Sequence, residues 1–321
     1  MTLLIRPFTF TRSDYAACVQ LRNRLYADTP ATVEMWQRND RLRRQDRSYH
    51  FFVAERETDL ASHEIIGYVQ CAKKSSQSRT VGLGMVCAPT CWQNGVARQL
   101  LDKVKQIAAE FKAADLVQKV QESDEQKLSF FLEQGFTQVM RYPLSVLDVG
   151  RFDGGRFQNK WSQMEGAAIE VKQLPLNWQD DLTWQKLVYH LDWTLTQDVP
   201  YHDKRVQEPF ESYIQNEIFH PNAFPESYFA AWDADRPVGM TCFIKRGGGI
   251  QTVSTALTGV IPAYRRRGIA LALKLASIRF ARAAGIETIL THNEENNPMF
   301  HLNQRLGFTQ KPAWLDLKYS L

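Results

Sequence analysis

The chain echoes itself at long range, and that echo limits its fold more than any other feature. "MVCAPTCWQNGVARQLL" is answered by "TGVIPAYRRRGIALALKL", with Pro89 matching Pro262 and Gly95 matching Gly268, both pairs 173 positions apart. Upstream, "YHFFVAERETDLASHEIIGYVQC" resembles "SYFAAWDADRPVGMTCF", each a strand, a polar turn and a second strand entered at Gly67 or Gly239. Downstream, "FFLEQGFTQVMRYPLSVLDV" matches "HLNQRLGFTQKPAWLDLKYSL". The signals keep their order and nearly their spacing. A period this long means duplicated domains, because solenoid repeats are much shorter.

The stretch between the copies, "GRFDGGRFQNKWSQMEGAA" (150–168), is rich in glycine and polar residues and reads as a connection. The expected domains are therefore 1–150 and 168–321. Each copy reads as a strand, helical segments and a strand meander. A glycine loop then leads into a long helix, and a strand, a helix and a closing hairpin follow. In the first copy Val96, Leu100, Val104, Ile107 and Phe111 recur at helical spacing. In the second, Ile269, Leu273, Ala276 and Phe280 form one stripe and Leu271, Leu275 and Ile278 another, with Gly285 placed to end the helix. A helix apolar around most of its circumference is buried against a sheet. The fold class is α/β, a mixed (α+β) sheet with helices packed on it, once per copy.

Composition excludes several functions. With 39 basic and 35 acidic residues the net charge is +4, well short of a dedicated nucleic-acid binder. "RNDRLRRQDR" (38–47) reads as a solvated helical face. No segment reaches the roughly twenty apolar residues of a membrane span, and the start is a poor signal peptide. Cys18, Cys71, Cys87, Cys91 and Cys242 are odd in number and scattered, so they suggest free thiols in a reducing cytoplasm. Cys87 and Cys91 have no second pair to complete a metal site, and no metal is expected.

The chemistry concentrates at "VIPAYRRRGIA" (260–270). A helix start leaves about four N–H groups unpaired and carries partial positive charge. Gly268 and Ala270 let a phosphate approach that backbone, and Arg265, Arg266 and Arg267 add charge. The cluster spans one turn and lacks the interleaved aromatics that track a nucleic-acid strand. It suits a pyrophosphate; the alternative is a surface loop kept soluble by its arginines.

This stretch resembles the GNAT superfamily of acetyl-CoA-dependent N-acetyltransferases. The family signature, Arg/Gln-x-x-Gly-x-Gly/Ala after Val-x-Pro, stands here as Arg265, Gly268 and Ala270 after Val260-Ile261-Pro262. "NNPMFHLNQRLGF" resembles the family's later Asn segment leading into Gly-Phe. The whole resembles a tandem, two-lobed member, the arrangement of mycothiol synthase-like acetyltransferases. The resemblance implies acetyl-CoA as co-substrate, with residues 266–270, including Ile269, giving N–H groups to its pyrophosphate. Backbone at Val260 and Ile261 would meet the pantetheine arm, and the Val260 N–H the thioester oxygen. Asn296 would bond that arm or cap the following helix, with Met299 alongside. Many members carry a tyrosine five residues before the Phe of Gly-Phe, as the acid for sulfur; here the slot holds Asn303, and Phe131 in the first copy.

Candidate bases are His292 and Glu294 after "TILTH", and Tyr201, His202 and Asp203 in the loop that roofs the family's acceptor site. The first copy departs further, with Trp92 in the Arg/Gln slot and Asp124 in place of the asparagine. The expectation is a degenerate, non-catalytic first domain and an active second one. That domain would transfer acetyl directly to a primary amine, of a small molecule or a peptide, in a ternary complex. The alternative is a protein that binds acyl-CoA without turnover. A monomer or a homodimer both fit.

Overall fold

A computed structural model describes residues 3–27, 30–43, 48–57, 63–73, 78–157, 169–200, 206–246 and 249–321. Two compact units emerge, one of Met1–Tyr142 with Pro312–Leu321, the other of Pro143–Lys311. Both breaks fall just before a proline.

The first unit runs β1 (Leu3–Pro7), α1 (Arg12–Leu25), α2 (Val33–Arg41), β2 (Tyr49–Glu57), β3 (His63–Lys73), β4 (Thr80–Cys87), α3 (Val96–Glu110), β5 (Asp115–Gln121), α4 (Glu125–Glu133) and the start of β6 (Thr137–Asp148). The second runs from the rest of β6 through β7 (Ile169–Gln173), α5 (Leu182–Thr196), α6 (Phe210–Tyr213), β8 (Phe229–Asp233), β9 (Arg236–Arg246), β10 (Gly249–Val260), α7 (Ile269–Ala283), β11 (Thr288–His292) and α8 (Pro298–Arg305), and β12 (Thr309–Ser320) closes the chain.

In the first unit the strand order is β1-β2-β3-β4-β5-β12, and in the second β6-β11-β10-β9-β8-β7. Within these, β4/β5 and β10/β11 are the parallel pairs. Each copy's closing strand thus serves the other unit. Leu144–Asp148 of β6 pair with β11, while Trp314–Ser320 of β12 pair with β5. The division at 1–150 and 168–321 follows sequence order, whereas contact follows this exchange, so 312–321 packs with the first unit. An uncovered strand edge leaves backbone groups unpaired, and the exchanged strands cover β5 and β11. The closing hairpin expected in each copy is instead one twelve-residue strand, β6 and β12, with Pro143 and Pro312 lying inside them.

In the first unit, Leu100, Leu101 and Val104 of α3 are sealed against Val69, Val81 and Leu116, together with Leu315 and Leu317 from the chain end. In the second, Leu275 and Ile278 of α7, Leu302 of α8 and Leu306 just past its end meet over Val253 and Ile289. Gly285 at φ +72° ends α7, and the Ile286 N–H reaches back to the Ala281 carbonyl at 2.9 Å. All five cysteines are free and buried. Among the described residues no helix is long and apolar enough to cross a membrane, and no cluster of metal-ligating side chains forms.

Candidate acyl donor site

The second unit holds a gap between two parallel strands. Strands β10 and β11 pair at Thr252↔Thr288, Val253↔Ile289 and Ser254↔Leu290, and then part. At that point the register of β10 on β9 slips between Thr255 and Leu257, leaving Ala256 as an extra, exposed residue. Such a bulge bends a strand and increases its twist, which is how β10 leaves β11 while staying on β9.

The remaining stretch of β10 turns useful groups into the gap. The Ile261 N–H donates to the Val238 carbonyl at 2.9 Å. The neighbouring pairs Val260↔Gly239 and Thr258↔Thr241 are therefore of the kind that exchange no backbone bonds. The N–H and C=O of Thr258 and Val260 consequently face away from β9. Two glycines, Gly259 of β10 and Gly239 of β9, allow helices to approach the sheet here. A Cβ on Gly259 would lie 2.9 Å from Leu195 Cβ of α5, and one on Gly239 3.2 Å from Leu273 of α7.

The gap leads to a helix start. Pro262–Tyr264 makes one 3₁₀ turn, Arg265 is extended, Arg266 takes φ +65° and Gly268 φ +83° just before α7. The N-cap is glycine and no side chain caps the first turn, so its N–H groups are not occupied by a capping residue. A left-handed non-glycine costs about 1–2 kcal/mol, and successive N–H groups in such turns form anion-binding concavities. Gln93, the first-copy counterpart of Arg266, has φ −103° instead.

The three arginines differ in what they touch. Arg265 Nε donates to the Val260 carbonyl at 2.9 Å, and its guanidinium pairs with Asp198. Arg267 donates to the Ala263 carbonyl at 3.2 Å and lies 4.9 Å over the Tyr264 ring. Arg266 is exposed.

On the β11 side, Ile289 and Thr291 are buried, and alternation puts Leu290 and His292 on the opposite face. Asn296 is exposed and bonds the Glu294 carboxylate at 3.0 Å through its backbone N–H and 2.7 Å through its side chain. The cap considered for it is instead made by Asn297, whose side chain accepts from the Met299 N–H at 2.9 Å. Asn303 is fully buried; its Nδ2 donates to Asn293 at 2.7 Å, while its Oδ1 has no partner among the described residues. His202, with Tyr201 and Asp203, lies outside the described residues.

Two features escaped the sequence reading. The Ala256 bulge has no signature in residue type. Lys274 did have one, being a cation between the two apolar stripes of α7. It is 2% exposed, its amine lies 3.3 Å from Thr255 Oγ1, and burial pushes its pKa down to about 7.

The first unit offers the counterpart. Strands β4 and β5 pair from Thr80↔Asp115 to Leu83↔Gln118 and then part, but β4 keeps an unbroken register on β3. The Met85 N–H donates to Gln118 Oε1 at 3.2 Å, and the Met85 carbonyl accepts from Lys127 Nζ at 2.8 Å. Asn94 Oδ1 accepts from the Val96 N–H at 3.4 Å at the start of α3. Trp92 packs on Phe130 with ring centroids 5.3 Å apart, and Asp124 caps α4.

Both copies are similar to known proteins. Residues 15–136 and 186–308 both match the acetyltransferase (GNAT) family. Over 109 residues, 33% of this chain and 71% of the other protein, the chain is 29% identical to N-alpha-acetyltransferase 30 of Schizosaccharomyces pombe. A tandem GNAT protein from the clavulanic acid biosynthesis pathway superposes with a TM-score of 0.74 at 15% identity, covering 99% of this chain and 98% of that one. A GCN5-related N-acetyltransferase from Sphaerobacter thermophilus does so at 0.69 and 14% identity, covering 99% and 95%. At these identities the two structures show a shared fold.

Proposed function

The chain belongs to the acetyltransferase (GNAT) family, a two-lobed member with acyl-CoA-dependent N-acetyltransferase activity, and on that premise we propose that its second copy, within 168–321, holds acetyl-CoA and performs the transfer. The carrying observation is the parting of β10 from β11 beyond Ser254↔Leu290, which opens onto the helix start at Gly268.

In this reading the N–H groups of residues 266–270 and the side chains of Arg266 and Arg267 bind the pyrophosphate. Arg265 holds the loop's shape through Val260. The pantetheine amides pair along Thr258 and Val260, with Asn296 and Met299 at the far wall; Ile261, expected to join them, is excluded because its N–H goes to the Val238 carbonyl and its own carbonyl accepts from the Tyr264 N–H at 3.0 Å. A primary amine attacks the thioester carbon directly in a ternary complex, and the carbonyl oxygen gains charge that the Val260 N–H stabilises. The C–S bond then breaks and the thiolate leaves. The amine's proton passes to water or to His292, His202 being the second candidate. An asparagine can donate a hydrogen bond but cannot protonate a thiolate, so Asn303 would at most solvate it. The acceptor is a small-molecule or peptide amine. The name of the S. pombe relative makes an α-amine the first class to assay. The first copy, within 1–150, is structural. Five buried free thiols fit a reducing cytoplasm.

Calorimetric titration of acetyl-CoA into the protein and into Gly268→Trp tests the donor site. One site per chain, absent from the variant, is expected; no binding to either would end the proposal. A second reading, acyl-CoA binding without turnover, draws on the Asn303 Nδ2 being committed to Asn293. Thiol release over an amine panel separates the two.

A further inference from the structure

The first copy carries the same parting of parallel strands, and its own side chains fill it. The Ala88 N–H donates to the Ile66 carbonyl at 2.8 Å, beside the pair Cys87↔Gly67. By the same parity as in β10, the Met85 N–H and C=O therefore face away from β3. Met85 stands 173 residues before Thr258. Both of its groups are taken, the N–H by Gln118 and the carbonyl by Lys127, side chains 2% and 4% exposed. At the matching positions the second copy has no equivalent pair. Thr291 stands 173 residues after Gln118 and is shorter. Phe300 follows its cap Asn297 by three, as Lys127 follows Asp124, and it has no donor.

We infer that the first copy is a latent acyl-CoA site, closed by Gln118 and Lys127, which occupy the backbone positions a pantetheine arm would use. The inference rests on the reading above, in which the arm lies along the corresponding edge of β10. Closure is chemical as much as steric. A donor entering this gap would strand a buried amide and a buried amine, which is costly unless both find new partners. Among the described residues Lys127 forms no ion pair, the Asp124 carboxylate at the start of α4 acting on it only through its charge. Its amine bonds the Met85 carbonyl and, at 3.4 Å, the Tyr26 hydroxyl. Burial pushes its pKa down to about 8, in keeping with an internal hydrogen-bond donor that carries its charge reluctantly.

The first copy's loop is also poor in charge, so the test supplies charge separately. Gln93 and Asn94 are exposed. Four full-length chains are titrated with acetyl-CoA, each checked for folding by thermal melting. The natural chain and Gln93→Arg/Asn94→Arg are both expected to bind one equivalent. The latter with Gln118→Ala/Lys127→Met added is expected to bind two, the second at least tenfold more weakly. Adding Gly268→Trp to that chain is expected to leave only the new site. A second site in the natural chain or in the loop variant would overturn the inference, because the plug would then not close the gap. So would a folded four-substitution chain that binds one equivalent. If the Lys127→Met chains do not fold, Gln118→Ala with the loop arginines takes their place, and one equivalent there counts against the inference. If the natural chain binds no acetyl-CoA, the donor-site reading fails first.

Discussion

Arg265 Nε donates to the Val260 carbonyl at 2.9 Å, so the first arginine of the triplet turns back onto the strand instead of reaching outward. Its partner on the other side, Asp198, forms an ion pair at which both side chains are about half exposed. Exposed pairs contribute little, whereas a charged donor on a carbonyl is worth about 1.5–3 kcal/mol. Arg265→Ala should therefore weaken acetyl-CoA binding about tenfold, while Asp198→Asn should change it less than about twofold. Titration of the two variants decides this. Equal losses would mean that the ion pair, rather than the Val260 contact, orders the loop.

Gly268 and Gly95 share one conformation, φ +83° and +84°. An alanine at either costs about 1–2 kcal/mol, because its Cβ crowds the carbonyl in the left-handed region. Gly268→Ala and Gly95→Ala should lower the melting temperature comparably. Only Gly268→Ala should also lower acetyl-CoA affinity, by tenfold or more. A matching affinity loss in Gly95→Ala would show that the first copy takes part in donor binding.

The buried lysines make stability depend on pH in a definite sense. The pKa of Lys274 falls to about 7 and that of Lys127 to about 8, from an ordinary 10.5. Between about pH 8 and 10 the unfolded chain holds protons on both that the folded chain lacks. Their contribution to stability therefore falls as pH falls through that window, by up to ~1.4 kcal/mol per unit for each lysine. Below about pH 7 the Lys274 penalty is constant. Buried cysteines and tyrosines, whose pKa values are raised, act in the opposite sense at high pH, so the difference between chains is the informative quantity. Lys274→Met should be more stable than the natural chain at pH 7.5, by a margin that shrinks towards pH 10. Urea unfolding at several pH values measures it; a margin independent of pH would mean that Lys274 is charged in the folded protein.

The architecture was legible where the backbone demands a particular residue. Gly95 and Gly268 marked two glycine loops leading into helices, and the apolar stripes around Leu100 and Leu273 marked the helices that follow. What escaped depends on partners distant in sequence. Nothing local to Leu315 shows that it will pair with Val120 instead of a strand of its own copy. Lys127 and Met85 are 42 residues apart, and only the fold brings amine to carbonyl. The Ala256 bulge is a register event between strands, invisible in one strand alone. Asn296 and Asn297 are adjacent and chemically identical, so only backbone geometry could assign the cap.

The remaining question at the site is the proton. His292 ends β11 on the face opposite Ile289 and Thr291, beyond the point where β10 has departed. A histidine base must be neutral to accept the amine's proton, and histidine titrates near neutrality. If it serves, kcat/KM should fall as pH drops through the neutral range, and His292→Gln should abolish that limb while lowering the plateau about 10²-fold. The acetyl-CoA dissociation constant should change little, because a base of this kind acts on the amine and not on the donor. The measurement is a pH–rate profile on the best amine of the panel, for both chains. An unchanged acid limb in His292→Gln would remove His292 from the mechanism and leave the proton to water or to the 201–203 loop.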